Sequence, residues 1–203
     1  MLNIVFAGSL DAFEVAVMAA GLTPAMTVCV VATAAAFRGP DEAIAQIQVL
    51  LAPSGVEVSA VSAINRAGAD DPGVVASVKM ADLVVVADGA TLHARSVWRH
   101  SALGDALGEA ALICVGSTGS VLGETMIDPR GGAPTTGLGF FEDVVVSVPV
   151  SAEQSQRSRQ LLGDQLLVEL GPRSVVAYDG RWRVVADDDI VVTRGGEPAN
   201  LSD

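Results

Sequence analysis

The residue best suited to covalent chemistry is a serine that directly follows a short apolar run. Residues 112–115 read Leu-Ile-Cys-Val, and the sequence Gly-Ser-Thr-Gly, which contains Ser117, follows at once. A buried strand that enters a tight turn and exposes one serine predicts a nucleophile elbow. The usual pattern has glycine two positions away on both sides, and here Gly119 is present while Val115 replaces the other. Half a motif is also typical of an ordinary strand–turn–helix connection with small residues, which the spacing alone favours over an elbow.

The groups that could assist such a serine are few. A serine hydroxyl is a weak nucleophile unless a base removes its proton, and the chain has two histidines, His93 and His100. We expect His100 on a helix surface or turn. Cys29 and Cys114 lie in apolar runs and are predicted to be core thiols rather than a disulfide or a metal pair. Metal-ligand spacing, a phosphate loop and a dinucleotide motif are absent from the sequence, so we expect neither a metal nor a cofactor.

Composition excludes several classes of partner. The 203 residues carry a net charge of −12, which repels nucleic acid and anionic membranes. Half of the residues are hydrophobic and 18% are charged, so a large core can form from aliphatic side chains. Neither a membrane-spanning run nor a signal peptide is recognisable, and we expect a cytoplasmic protein.

The periodicity of apolar residues predicts strands that alternate with helices along a single domain, residues 1–203. This alternation indicates an α/β fold with a mostly parallel sheet and helices on both faces, in which strand ends would meet at one crevice. A small antiparallel β appendage is predicted at 174–194 and a loose tail at 195–203. The predicted strands are residues 2–7, 26–32, 56–61, 82–87, 112–115 and 143–148, and the predicted helices are residues 11–20, 41–51, 71–80, 92–107 and 151–170.

Six short segments follow one another in an order that resembles a known family. They are Ala-Thr-Ala-Ala-Ala at 32–36, Asn-Arg-Ala at 65–67, Leu-His-Ala-Arg-Ser-Val at 92–97, Asp-Pro-Arg-Gly-Gly at 128–132, Gly-Leu-Gly at 137–139 and Gly-Arg-Trp-Arg-Val at 180–184. Together they resemble the cyanophycinase and dipeptidase E family of serine peptidases, in its type 1 glutamine amidotransferase-like branch. The resemblance implies a three-layer α/β/α sandwich that is class I glutamine amidotransferase-like (flavodoxin-like), and it implies dimers.

By this resemblance Ser117 holds the nucleophile position. The backbone N–H groups of Gly89 and Thr118 would form the oxyanion hole. His93 and Arg95 lie in a segment shared with the family and would line the site.

The residues that should activate the serine are missing. The family base follows a Val-Pro pair, and here that position is Val150. The acidic segment expected later reads Gly-Pro-Arg-Ser at 171–174, and Asp88 replaces the first glycine of a Gly-Gly pair. Loss of a triad base costs about 10⁴-fold to 10⁶-fold in rate.

The sequence therefore favours a non-catalytic member of the family, a pseudoenzyme that binds a small molecule, a peptide or a partner subunit. One alternative is an active serine hydrolase in which Ser117 attacks and His93 or another group assists. Another is a subunit of a homodimer, or of a hetero-oligomer in which it completes or regulates an active homologue.

Overall fold

The structure is a computed structural model and describes residues 3–201. Leu2, at the start of the first predicted strand, and Ser202 and Asp203, at the end of the predicted tail, lie outside the described residues. The α-helices are α1 Phe13–Ala19, α2 Pro40–Leu51, α3 Arg66–Ala69, α4 Pro72–Met80, α5 Thr91–Trp98, α6 Ala102–Glu109 and α7 Ala152–Leu161. The strands are β1 Asn3–Ala7, β2 Thr27–Val31, β3 Glu57–Val61, β4 Leu83–Val86, β5 Ala111–Val115, β6 Thr125–Ile127, β7 Pro134–Thr136, β8 Val144–Ser147, β9 Leu166–Glu169, β10 Val175–Tyr178, β11 Trp182–Ala186, β12 Val191–Arg194 and β13 Glu197–Pro198.

A seven-stranded sheet forms the centre of the molecule, in the order β11-β10-β1-β5-β4-β2-β3. The five strands from β1 to β3 in this order are parallel, and β10 and β11 add an antiparallel edge. The inner strands are continuous apolar runs because both of their faces are covered. This arrangement confirms the predicted α/β fold with a mostly parallel sheet.

The core lies in two layers, one on each face of this sheet. On one face, Phe13 of α1 and Ile47 of α2 pack against Val30 and Ile113. The second layer, on the other face, contains Trp98 of α5 and includes Cys29 and Cys114. Both cysteines are free and buried, as predicted. The predicted helix at 92–107 divides into α5 and α6, and a 3-10 helix, Gly116–Leu122, follows β5.

The prediction of one long helix at 151–170 is wrong. The helix α7 ends at Leu161, and Gly163 follows in a left-handed conformation with φ +60°. The chain then continues as strand β9, which pairs with β8 in parallel and with β12 antiparallel. Leu166 and Leu167, which fit a helical face, instead point to opposite sides of β9. Leu166 joins the second layer of the core, while Leu167 packs with Leu162 at the end of α7.

The predicted C-terminal appendage is divided between two sheets. The strand β10 pairs with β1 and so belongs to the central sheet, while β12 belongs to the four-stranded sheet β13-β12-β9-β8. The segment predicted as a loose tail differs as well, since β13 pairs with β12 and Leu201 is buried. This segment is held by contacts with other parts of the chain, and no local sequence pattern predicts such contacts.

Candidate functional site

The carboxyl ends of four parallel strands meet at one edge of the central sheet, where the sequence predicts a crevice. Gly89, after β4, lies so close to the end of β2 that a Cβ there would be 2.1 Å from the Ala34 oxygen. Ser9, after β1, lines the same cavity as Asp88 and Val115. The small residues at these strand ends therefore allow backbones to approach closely around the crevice.

Ser117 lies at this edge and is held by Asp88. The Ser117 backbone N–H and the Ser117 hydroxyl both donate to Asp88 Oδ1, each at 2.9 Å. The hydroxyl is also 3.3 Å from the Gly89 carbonyl oxygen. In the described part of the chain, these are the hydrogen bonds that the Ser117 side chain makes. The hydroxyl proton is thus directed at an acidic side chain that the resemblance places near the oxyanion hole.

The strained turn residue of this connection is Gly116, one position before Ser117. Gly116 has φ +62°, in the left-handed region, and Ser117 already belongs to the 3-10 helix. A Cβ built on Gly116 would be 2.3 Å from the Asp88 Cγ and 2.5 Å from each of its carboxylate oxygens. In an elbow, the turn residue is the nucleophile and its side chain is exposed. Here the turn residue is a glycine, and the Asp88 carboxylate fills the space that a side chain at position 116 would need.

Neither histidine is bonded to the serine. His93 Nε2 is 2.8 Å from the Ile64 carbonyl oxygen, and its ring packs edge-on against Phe37 with centroids 4.8 Å apart. His100 lines a different cavity, beside α6. In the region that the structure describes, no imidazole is hydrogen-bonded to the Ser117 hydroxyl.

Val150 faces the same small cavity as Ser117. This cavity has a volume of about 230 Å³ and is lined by both residues. Val150 is 74% exposed, and its backbone N–H donates to the Gln154 side chain at the start of α7. An aliphatic side chain at this wall can exclude water from part of the cavity, but it can neither accept nor donate a proton.

A larger cavity, of about 520 Å³, lies next to the small one. Asp88 and Glu42 contribute carboxylates to its lining. Arg38 lines both cavities, and no ion pair joins its guanidinium to a carboxylate within residues 3–201. The larger cavity is therefore acidic, and Arg38 contributes a positive charge to the lining of both cavities. Arg38 was not predicted, because nothing in its local sequence marks it as a site residue.

Two further predicted site residues lie behind the cavities. Thr118 is fully buried, and its hydroxyl has no hydrogen-bond partner among the described residues. Arg95 Nε is likewise buried without a partner, and Arg95 lies one turn of α5 beyond Thr91. Neither Thr118 nor Arg95 lines either cavity.

Other chemistries find little support at this edge. Across residues 3–201, no three His, Cys, Asp or Glu side chains come together in a group that could hold a metal ion. Burial raises the pKa of the Cys114 thiol and also that of Cys29, so both thiols stay protonated and poorly nucleophilic. None of the described helices combines the length and apolar character needed to span a bilayer.

Comparison with solved structures identifies the fold. The chain is similar to a peptidase from an acI-B1 Actinobacterium, with a TM-score of 0.77 and 19% identity over 95% of this chain and 91% of that chain. It is also similar to a candidate Peptidase E protein from Listeria monocytogenes EGD-e, with a TM-score of 0.66 and 12% identity over 96% and 98% of the two chains. No protein-family model and no curated protein matches the chain. The chain thus has the fold of Peptidase E-like proteins, which confirms the sequence resemblance at the level of the fold.

Proposed function

We propose that this protein is a non-catalytic member of the Peptidase E-like group that binds a ligand in the crevice at the sheet edge. The observation that carries the proposal is the contact between Asp88 and Ser117. One carboxylate oxygen accepts both the N–H and the O–H of the serine, each at 2.9 Å. A negative charge at that place opposes the negative charge that a carbonyl oxygen develops when a nucleophile attacks it.

A second residue of the small cavity supports the same proposal. Val150 occupies the position at which the resemblance implies a proton-accepting histidine, and it lines the cavity together with Ser117. A serine without a base keeps its proton near neutral pH and reacts slowly. The fold and an open crevice are therefore retained without a histidine at the position of the family base.

A fluorophosphonate probe tests this proposal directly, because it labels activated serines. We expect no labelling of the wild-type protein at pH 7, while an active serine hydrolase in the same reaction is labelled. Labelling that disappears in Ser117→Ala would contradict the proposal and establish a working nucleophile.

A second candidate is a serine hydrolase in which Asp88 acts as the base. The observation in its favour is the 2.9 Å distance between the Ser117 hydroxyl and Asp88 Oδ1, which is within reach for proton transfer. If Asp88 has this role, the probe labels the wild-type protein, and both Asp88→Asn and Ser117→Ala abolish the labelling. Absence of labelling in the wild type rejects this candidate.

We also propose that the protein acts in the cytoplasm, as a homodimer or with an active homologue. The two free, buried cysteines fit a reducing compartment. Light scattering on the purified protein measures the oligomeric state, and co-purification from the native host identifies a homologue that carries the missing histidine. A monomer with no such homologue would contradict the proposed assembly.

A further inference from the structure

The small cavity beside Ser117 has the lining of an anion site. It is lined by the hydroxyl-bearing residues Thr91, Ser120 and Ser147, and by Gln154, whose amide already donates to the Pro129 oxygen. Arg38 is the charged residue of this lining, which contains no acidic side chain within the described residues. A cavity with hydrogen-bond donors and one cation favours a compact negative group.

The amino end of α5 is the second feature of this cavity. The helix spans eight residues from Thr91, and its N-cap, Ala90, supplies no side-chain hydrogen bond. The first N–H groups of an α-helix lack partners inside the helix and carry the positive end of its dipole. Ala90 uses its own N–H on the Ala34 oxygen at 2.7 Å, so the donors left for a ligand are those of the helix itself.

The hydroxyl of Thr91 gives an independent indication of a ligand. Thr91 is only 3% exposed, it lines the cavity, and its Oγ1 has no hydrogen-bond partner in the described chain. Leaving a buried hydroxyl unpaired is costly, because the group has lost its hydrogen bonds to water. An acceptor atom bound in the cavity would supply the missing partner.

The Asp88 side chain does not line the small cavity in which an anion would bind. Its Oδ1 accepts both hydrogen bonds from Ser117, and Asp88 lines the larger cavity rather than the small one. Arg38 lines both cavities, so its guanidinium adds a positive charge to the lining of the small one.

We propose that the small cavity binds a compact oxyanion, either a carboxylate or a phosphate group, between the α5 amino end, Thr91 and Arg38. This inference rests on the proposed function, because it names the chemical class of ligand that the retained crevice takes. The oxyanion accepts from the Thr91 hydroxyl and from the first N–H groups of α5, and Arg38 provides the counter-charge.

The test is a titration of the full chain with sodium acetate, phosphate or sulfate at constant ionic strength set by chloride, followed by calorimetry and thermal unfolding. We expect saturable binding of at least one oxyanion beyond the chloride reference. Arg38→Ala should weaken binding about tenfold, since a charge-assisted hydrogen bond is lost. Thr91→Val should weaken it about fivefold, since one neutral hydrogen bond is lost.

Two control variants match these changes outside the cavity. Arg181→Ala removes an exposed cation from the turn between β10 and β11, and Thr193→Val removes a hydroxyl from a buried threonine of β12. Both should bind the anion as the wild type does. Thermal unfolding of each variant without anion shows whether it is folded before its affinity is compared.

Each outcome of the titration is decisive. Binding of acetate alone assigns a carboxylate ligand, binding of phosphate and sulfate alone assigns a phosphate-type ligand, and binding of all three assigns the shared chemistry. No saturable effect beyond chloride, or unchanged affinity in both cavity variants, overturns the inference. Failure of the proposed function is recognised separately, because it requires labelling of Ser117 by the fluorophosphonate probe whether or not an anion binds.

Discussion

At the scale of single residues, two side chains account for the expected inactivity, and each should be sufficient alone. Asp88 holds the hydroxyl of Ser117, and Val150 leaves the small cavity without a base. We expect Val150→His to stay unlabelled by a fluorophosphonate, because the serine remains bonded to the carboxylate. Asp88→Gly should stay unlabelled for lack of a base. The double variant should label at Ser117, as measured by mass spectrometry of the modified peptide.

The control for this experiment is the double variant with Ser117→Ala added, which should not be labelled. Labelling of Val150→His alone would show that the Asp88 contact does not restrain the serine. Labelling of Asp88→Gly alone would show that a base reaches Ser117 from elsewhere in the fold. Either result would contradict the view that the two substitutions block the site independently.

Residue types indicated part of this site, and tertiary contacts determined the rest. The motif around Ser117 and the missing histidine at Val150 are visible in the sequence, because both are defined by neighbours along the chain. The hydrogen bond between Asp88 and Ser117 joins residues 29 positions apart and depends on how β4 and β5 end. The place of Arg38 between two cavities likewise follows from packing and has no local pattern.

At the scale of elements, most strands and helices of the central sheet were predictable, and so was the antiparallel β-structure at 174–194, while β6, β7, β9 and β13 were not predicted. Continuous apolar runs bounded by small residues are distinctive for buried parallel strands. The leucines between 161 and 170 fit a helical face as well as a buried strand, so periodicity could not decide between them. Gly163, with φ +60°, marks the true end of α7, and pairing with β8 gives β9 its strand conformation.

The ion pair between α7 and β9 should be a large contribution to their packing. Glu169 is 2% exposed, and its Oε2 accepts from Arg159 Nε at 2.7 Å. Arg159→Ala would leave a buried carboxylate unpaired, and we expect it to lower the free energy of unfolding by about 3 kcal/mol. Urea denaturation measures this change.

A matched control exists on the same helix. Arg157→Ala removes an exposed cation from α7 and should change the free energy of unfolding by less than about 0.5 kcal/mol. Adding Glu169→Gln to Arg159→Ala should restore part of the loss, because the unpaired group is then neutral. A loss in Arg159→Ala no greater than that in Arg157→Ala would mean that water enters and solvates the carboxylate.

The amino ends of β2 and β4 are joined by a contact that should make stability depend on pH. Asp82 Oδ2 accepts from the Thr27 backbone N–H at 2.8 Å and from the Thr27 hydroxyl at 2.9 Å. These bonds, the backbone one first, lower the pKa of Asp82 below its ordinary value. A carboxyl with a lower pKa in the folded state stabilises the protein above its unfolded-state pKa, and this contribution is lost as pH falls through the folded-state value.

We therefore expect Asp82→Asn to lower the melting temperature at pH 7 and to lower it less at about pH 2, because protonation of Asp82 makes its side chain neutral like that of asparagine. Thermal unfolding monitored by circular dichroism at the two pH values checks this. Asp11→Asn, which removes an exposed carboxylate that accepts no hydrogen bond in the described region, is the control. An equal deficit for Asp82→Asn at both pH values would show that the effect does not come from the carboxylate charge.

At the scale of the whole molecule, the second sheet shares a core with the first. Val146 of β8 and Val168 of β9 belong to the same apolar cluster as Phe6 of β1. Phe141, which precedes β8, belongs to this cluster too and packs on the central sheet, since its ring centroid is 5.7 Å from that of Phe6 and 5.1 Å from that of Trp182. A core that continues between the two sheets predicts that neither is stable alone.

We expect the chain to unfold in one cooperative transition, as a single domain does. Trp98 in α5 and Trp182 in β11 report by fluorescence on tertiary packing near different parts of the core, while far-ultraviolet circular dichroism reports on all helices and strands. The two urea curves should have the same midpoint and the same slope. Phe141→Ala should lower that midpoint in both curves equally, by about 3 kcal/mol in free energy, because it leaves a cavity in the shared core. Curves that separate, in the wild type or in the variant, would show that the two sheets do not unfold as one cooperative unit.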